Sequence, residues 1–504
     1  MTKVVSVNPA TGARRELDVE ESSYAEVSTL ASAAAAAAQD FAARSLSWRA
    51  SLLRAMADEL EVDGAALVEA AMVETALTRA RLENELRRTA FQFRFFADVV
   101  EDGAFLDASV DHATESPMGP LPDLRRWRVP LGPVAVFGSS NFPFAFSVPG
   151  GDTASALAAG CPVVIKAHPA HPVTSRACFE ALVRATKMCG GPDALLGLVY
   201  GVSAGAALVD EPAIRAVGFT GSLAAGRALW QRANARATPI PFFGELGSDN
   251  PLVVTARAAA NRRSDLGAEI AGSVTLGAGQ FCTKPGLIFL PVGEDGDAIA
   301  SALAASAADL SAMTLLSEPI ADHFRSGVHS IGEVGGVRPL LEWPEGNGAI
   351  VNAHIFEVDA RDFVGPKGRA LRDECFGPLA VVVRYRDGEE LRGSLAALEP
   401  SLTFSVFVAP EDEDGPWLVD VAAATAGRVI VNGLPTGVAV SWSMHHGGPW
   451  PSTTSPHATS VGARAIDRWL RPVSYQGVPA SLLPEALRDD STTAVPTRVD
   501  GVLR

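Results

Sequence analysis

Five short apolar runs recur along one stretch of the chain: PVAVFG (133–138), PVVIKA (162–167), LLGLVYG (195–201), AVGFTG (216–221) and PLVVTA (251–256). Segments with helical spacing, such as TSRACFEALVRATKMCG, separate them. A strand with one wet face alternates apolar and polar residues, and these runs do not, so both faces must be covered. That pattern predicts an α/β fold with a parallel sheet between helical layers. A second α/β region from about 257 to 440 repeats the signal at GLIFLP, LAVVVRY and VIVNG. Before the first sheet, residues 22–64 read as helix, followed by helical stretches near 65–80 and 81–101. A polar arm, HATESPMGPLPDLRRWRVP, and a Pro- and Ser-rich tail ending in WLRPVSYQGVP flank the two regions.

At 504 residues the chain suits about three domain-sized units. Its net charge of −16 argues against nucleic acid as a partner. The most apolar region, 131–166, is broken by Pro133, Gly138, Pro143, Pro149 and Gly160, so no membrane span is expected. The five cysteines are scattered, with no CxxC and no metal-ligand spacing. A disulfide framework and a structural metal are therefore not expected, and the start, MTKVVSVNPATG, lacks signal-peptide character. A reducing cytoplasm is the expected compartment.

One cysteine stands apart. LGAGQFCTKPGLIFL (276–290) sets Cys282 among Gly277, Gly279, Pro285 and Gly286, a backbone unlike a helix or plain strand. Such a loop lets a reactant approach the sulfur and lets the Cys282 N–H face a developing oxyanion. A free thiol is only a few per cent ionised at neutral pH, so a nucleophile there needs electropositive help. The other four cysteines read as packing residues. In GSSNFPFAF (138–146) Asn141 sits where the chain leaves a strand, placed to donate to a carbonyl oxygen. FTGSLAAGRAL (219–229) offers Gly221 and Ser222 at a helix mouth that can hold a pyrophosphate, although GxGxxG is absent. Glu245, in FFGELGSDNP between glycines and apolar residues, is expected to have a raised pKa suited to a general base. DECFGPLAVV adds Glu374 and Phe376.

Together these residues resemble the aldehyde dehydrogenase superfamily from about residue 22 to 475. GQFC matches that family's nucleophile motif, ELG its general-base motif and FTGS-xxx-G its cofactor turn. The Asn of GSSNFP, the Lys of VVIKAHP and the ECFGP segment match in order. HPAHPVTS, ELGSDNP, GQFCTKPG and VNGLPTGVAVSWSMHHGGPWPSTT look like a narrower branch, the α-ketoglutaric semialdehyde (2,5-dioxopentanoate) dehydrogenases. That branch is similar to some NADP-dependent fatty-aldehyde dehydrogenases.

The resemblance implies a Rossmann-like cofactor domain (1–112 and 131–256), an α/β catalytic domain carrying Cys282 (257–445), and a small β oligomerisation element (113–130 and 469–504). It implies oxidation of an aldehyde to an acid, with Cys282 attacking, Asn141 holding the oxyanion and Glu245 activating water. Glu374 and Phe376 would hold the nicotinamide end, Lys166 the adenosine ribose, and Gly221 with Ser222 the phosphate–adenine side. A homodimer or homotetramer follows by analogy. NAD-preferring relatives place a Glu shortly after the lysine; here Lys166-Ala167-His168-Pro169-Ala170-His171 has none. A carboxylate there would oppose a 2′-phosphate by up to about 4 kcal/mol per unit charge. NADP is therefore expected to be preferred, with NAD possible, helped by Lys166 and His168. Arg88 is the candidate for a substrate carboxylate, with Phe142, Phe146 and Phe281 walling the entry. His445 and His446 are placed either in the entry or on the surface. The rivals are a CoA-acylating enzyme, a fatty or medium-chain aldehyde dehydrogenase, a cysteine hydrolase, disfavoured because no local motif offers a His beside the thiol, and a cofactor-binding protein without turnover.

Overall fold

The computed structural model describes residues 2–310, 312–344, 346–491 and 495–504. A hairpin, Lys3–Val7 with Arg14–Glu20, precedes four helices, Tyr24–Ala43, Leu46–Val62, Gly64–Thr75 and Arg79–Asp102. The expected single helix over 22–64 is two. Ser45 breaks it, because its hydroxyl accepts the Trp48 N–H at 3.1 Å and starts a new helix.

The first sheet is fully parallel, in the order Phe242–Glu245, Ala216–Thr220, Val134–Phe137, Val163–Lys166, Leu196–Val199. The first strand in sequence lies in the middle and the connections run outward in both directions. Val134–Phe137 and Ala216–Thr220 therefore flank a topological switch point, where the carboxyl ends of the strands open a ligand crevice. Asn141, Lys166, Gly221 and Glu245 all lie at or just past those carboxyl ends. Phe93, Phe96, Phe144 and Trp469 fill the core between the helices and one face of the sheet.

The second sheet has seven strands, with Arg338–Leu341 antiparallel at one edge and six parallel strands ending at Ala426–Val431. Its strand Leu252–Val254, expected in the cofactor domain, pairs instead with Leu287–Pro291 and Ser401–Phe407. The chain thus leaves the first sheet just past Glu245 and enters the second at Leu252. A third sheet orders Leu470–Gln476, Leu124–Pro130, Ala108–Asp111, Thr497–Val499 and Val502–Leu503. It draws on the expected arm and tail, but takes Ala108–Asp111 as well; residues 492–494 of the tail lie outside the described residues. Among the described residues no helix is long and apolar enough to cross a membrane.

Candidate active site

Cys282 follows a loop in which Gly277 and Gly279 have φ of +58° and +68°, a region costly for other residues. Their purpose differs from the expected one. A Cβ on Gly279 would sit 2.3 Å from the backbone of Gly377, and one on Gly277 would meet Arg81 and the Phe281 ring. The glycines let the cysteine loop pack against the ECFGP segment and the helix Arg79–Asp102. Asn250 fixes the loop from the other side: its amide donates to the carbonyls of Cys282 at 2.7 Å and Lys284 at 3.0 Å. Its oxygen accepts from Ser248 and Thr403, so the fully buried Asn250 ties Cys282 to the segment leaving Glu245.

Glu245 ends an edge strand of the first sheet and is buried. Its neighbours come from far along the chain, because residues 446–460 fold back beside that strand. Leu246 donates to the Ser452 carbonyl at 2.8 Å, and Glu245 and Thr453 form an antiparallel bridge. This return loop brings His446 Nε2 to 2.9 Å from Glu245 Oε1 and to 3.5 Å from Cys282 Sγ. The Ser460 hydroxyl donates to Glu245 Oε2. Burial alone would raise the Glu245 carboxyl, but the charge and hydrogen bond of His446, with Ser460 and Arg468, outweigh it and hold the group below its ordinary range. The expected raised pKa is thus corrected. The expected absence of a His beside the thiol is corrected too: His446 is 1% exposed and touches it. Two adjacent histidines in a Gly/Pro-rich segment were the available signal, but only the fold reveals which one turns inward.

The thiol itself is pushed well up by burial and by the Glu245 and Glu374 carboxylates, against a smaller opposing pull from Arg428. The sulfur is therefore protonated before substrate arrives, contrary to the ionised form expected for a nucleophile. Asn141 reaches the same loop: one amide hydrogen goes to the Gln280 carbonyl at 2.9 Å, and an amide carries two. Arg81, which the sequence reading overlooked, anchors this loop, donating to the Asn141 carbonyl at 2.8 Å and lying 4.7 Å from the rings of Phe142 and Phe281. Phe142 contacts both Phe146 and Phe281, so the three expected wall residues are one aromatic group. Arg88 lies over Phe146 at 5.3 Å and is half-buried, not an exposed helix arginine. Burial lowers its pKa, while Glu85, Cys282 and Glu245 oppose that, which places its charge near the reacting residues.

The crevice has features suited to a dinucleotide. Lys166 is buried, no hydrogen bond among the described residues holds its ammonium, and burial lowers its pKa to about 8. The charge of a carboxylate from outside the expected loop acts on it: Glu21, packed over Gly201, opposes that lowering. His168 brings no charge, since burial, then His171 and Lys166, push it well below its ordinary value, and its Nδ1 accepts the Ala170 N–H at 3.1 Å. Its expected cationic help is therefore withdrawn. Ser222 caps the helix Leu223–Ala235, and Gly226 permits that helix to approach Leu246, where a Cβ would sit 2.2 Å from its Cδ2. Glu374 is packed against Gly247; burial raises it to about 7, against Lys284 and the Ser248 N–H.

The sequence pattern of the aldehyde dehydrogenase family matches residues 2–471. The chain belongs to the aldehyde dehydrogenase family. It is 45% identical over 470 residues to alpha-ketoglutaric semialdehyde dehydrogenase 2 of Azospirillum brasilense, covering 92% of this chain and 88% of that one. It is 38% identical to the alpha-ketoglutaric semialdehyde dehydrogenase of Acinetobacter baylyi, over 90% of this chain and 87% of that one. The fold also matches aldehyde dehydrogenase 21 of Physcomitrella patens, solved with the reaction product succinate, with a TM-score of 0.78 at 20% identity and 95% coverage of both chains. The enzyme is thus an NAD(P)-dependent oxidoreductase acting on aldehydes.

Proposed function

We propose that the enzyme oxidises 2,5-dioxopentanoate to 2-oxoglutarate, with NADP the favoured cofactor. The observation that carries this reading is a half-buried arginine, Arg88, whose charge is felt at Cys282 and Glu245, beside an aromatic wall. A small aldehyde with a distant carboxylate suits that pairing. The names of the two relatives above support it as well.

Cys282 attacks the aldehyde carbon. His446 Nε2–H is committed to Glu245, so the S–H proton passes to the Glu245 carboxylate, which acts directly on the thiol, and from there to solvent; the protonated resting thiol is therefore no obstacle. As the C–S bond forms, the carbonyl oxygen gains charge, and the second Asn141 amide hydrogen and the Cys282 N–H are its donors. The nicotinamide, when bound, supplies the oxidant for that carbon. Glu245, ionised again, then takes a proton from water; the water oxygen bonds to the thioester carbon, the C–S bond breaks, the sulfur takes up a proton and the acid leaves. A CoA-acylating enzyme would not need Glu245 so placed.

Glu374 and Phe376 would hold the nicotinamide end, Lys166 and the neutral His168 the adenosine ribose, and Gly221 with Ser222 the phosphate–adenine side. The loop after Lys166 lacks a carboxylate, which favours NADP, and Glu21 is too exposed to impose a full veto. The outer edge of strand Leu470–Gln476 suits pairing with a second copy, giving a homodimer or homotetramer. All five cysteines are free, as suits a reducing cytoplasm.

One observation favours a second reading. Phe91 and Trp442 are exposed, and Phe95 contacts both, on the helix that carries Arg88. Such an apolar rim would suit a medium-chain alkanal. Turnover of 2,5-dioxopentanoate, succinic semialdehyde and a medium-chain alkanal, each with NADP and NAD, separates the readings. A large kcat/KM advantage for the alkanal overturns the keto-acid substrate, and a strong advantage for NAD overturns the cofactor preference.

A further inference from the structure

The sequence shows no metal-ligand spacing, yet the fold assembles one. Cys282, His446 and Glu245 come from three separate segments, and one ligand atom of each lies within 4.8 Å of the other two. The separation of Sγ and Nε2 is 3.5 Å. Sulfur and nitrogen bound to one tetrahedral zinc, at about 2.3 and 2.0–2.1 Å, stand about 3.6 Å apart. Glu245 Oε1 and His446 Nε2 are 2.9 Å apart and need only a small spreading to share an ion. Ser460 steadies the other carboxylate oxygen, as outer partners do for metal ligands.

We propose that Cys282, His446 and Glu245 form a three-ligand zinc site, through which Zn²⁺ reversibly inhibits the enzyme. A thiolate, an imidazole and a carboxylate suit Zn²⁺ and Co²⁺, whereas Mg²⁺ and Ca²⁺ want oxygen alone. On binding, the S–H bond breaks, a Zn–S bond forms and one proton leaves to solvent. Affinity therefore rises with pH. Three protein ligands leave the fourth position of a tetrahedral ion to water or an anion. With its lone pair on the metal, the sulfur cannot attack a carbonyl, and zinc competes with aldehyde. The inhibition rests on the role proposed for Cys282, but the binding does not.

The test titrates metal-free enzyme with Zn²⁺ against a chromophoric chelator. It should bind one zinc per chain and release one proton, with affinity at least tenfold weaker in Cys282→Ser and His446→Gln. Co²⁺ should give a thiolate charge-transfer band in the wild type and none in Cys282→Ser. In case the variants fold poorly, peptide mass spectrometry on the wild type follows iodoacetamide labelling: stoichiometric zinc should protect Cys282, and EDTA should restore both labelling and turnover. Equal zinc affinity in both variants, or undiminished labelling of Cys282 with zinc present, overturns the site. Zinc binding without loss of turnover overturns the inhibition while the site stands. A failure of 2,5-dioxopentanoate as substrate would leave the chelator titration unchanged, so the two failures are distinguishable.

Discussion

Replacing Arg88 by methionine removes a charge while keeping much of the side-chain volume. The guanidinium is loosely held: its bonds to the Val438 carbonyl are 3.3 and 3.4 Å, and that to Gln92 is 3.4 Å. Its remaining donors are available to a carboxylate. At 4 Å and an effective dielectric of 20 the Coulomb attraction is about 4 kcal/mol, an upper figure before desolvation. A charge-assisted hydrogen bond nets about 1.5–3 kcal/mol, which corresponds to about 10- to 150-fold in kcat/KM. The assay compares kcat/KM for 2,5-dioxopentanoate with that for an uncharged alkanal of the same length, in wild type and Arg88→Met. Because Arg88 also acts on the charges of Cys282 and Glu245, both substrates can lose some rate. The account requires the ratio between them to fall by at least tenfold. An equal loss for both, or no loss for either, would refute a role for Arg88 in reading the substrate's carboxylate.

His446→Ala should lower kcat on the order of 10²-fold, since it removes the partner that positions the Glu245 carboxylate beside the thiol. It also removes the group that holds Glu245 below its ordinary range, so burial then raises that carboxyl. The base must be ionised to act, so the acid limb of the kcat–pH profile should move to higher pH, and an unmoved limb would contradict the contact. Asn250→Ala should destabilise the fold by about 3 kcal/mol or more, because it orphans the Cys282 and Lys284 carbonyls and the Thr403 N–H in the core. A denaturant midpoint shift checks it. Glu21→Gln should raise the NADP-to-NAD ratio of kcat/KM, as it removes the carboxylate felt by Lys166; a falling ratio would contradict that assignment.

The parallel sheets were legible because an uninterrupted run such as VVIK can be solvated on neither face. Cys282, Asn141 and Glu245 could be singled out because each sits in a short motif beside a strand: Asn141 just past Val134–Phe137, Glu245 at the end of Phe242–Glu245, and Cys282 in the glycine turn before Leu287–Pro291. His446 was not, for it reaches Glu245 across 201 positions of chain, and nothing local marks which of two histidines turns inward. The charge state of Glu245 failed with it, since apolar sequence neighbours say nothing about a partner from a distant loop. Glu21 was missed for the same reason: a search after Lys166 cannot find a carboxylate that precedes it by 145 residues. Sequence spacing also hid the three-ligand cluster, whose members share no segment.

The most direct measurement of the central claim is mass spectrometry of Glu245→Gln after mixing with aldehyde and cofactor. If Cys282 carries the reaction and Glu245 releases the product, an acyl group should accumulate on the Cys282 peptide with one burst of reduced cofactor per active site. Continuous turnover with Cys282 unmodified would contradict it.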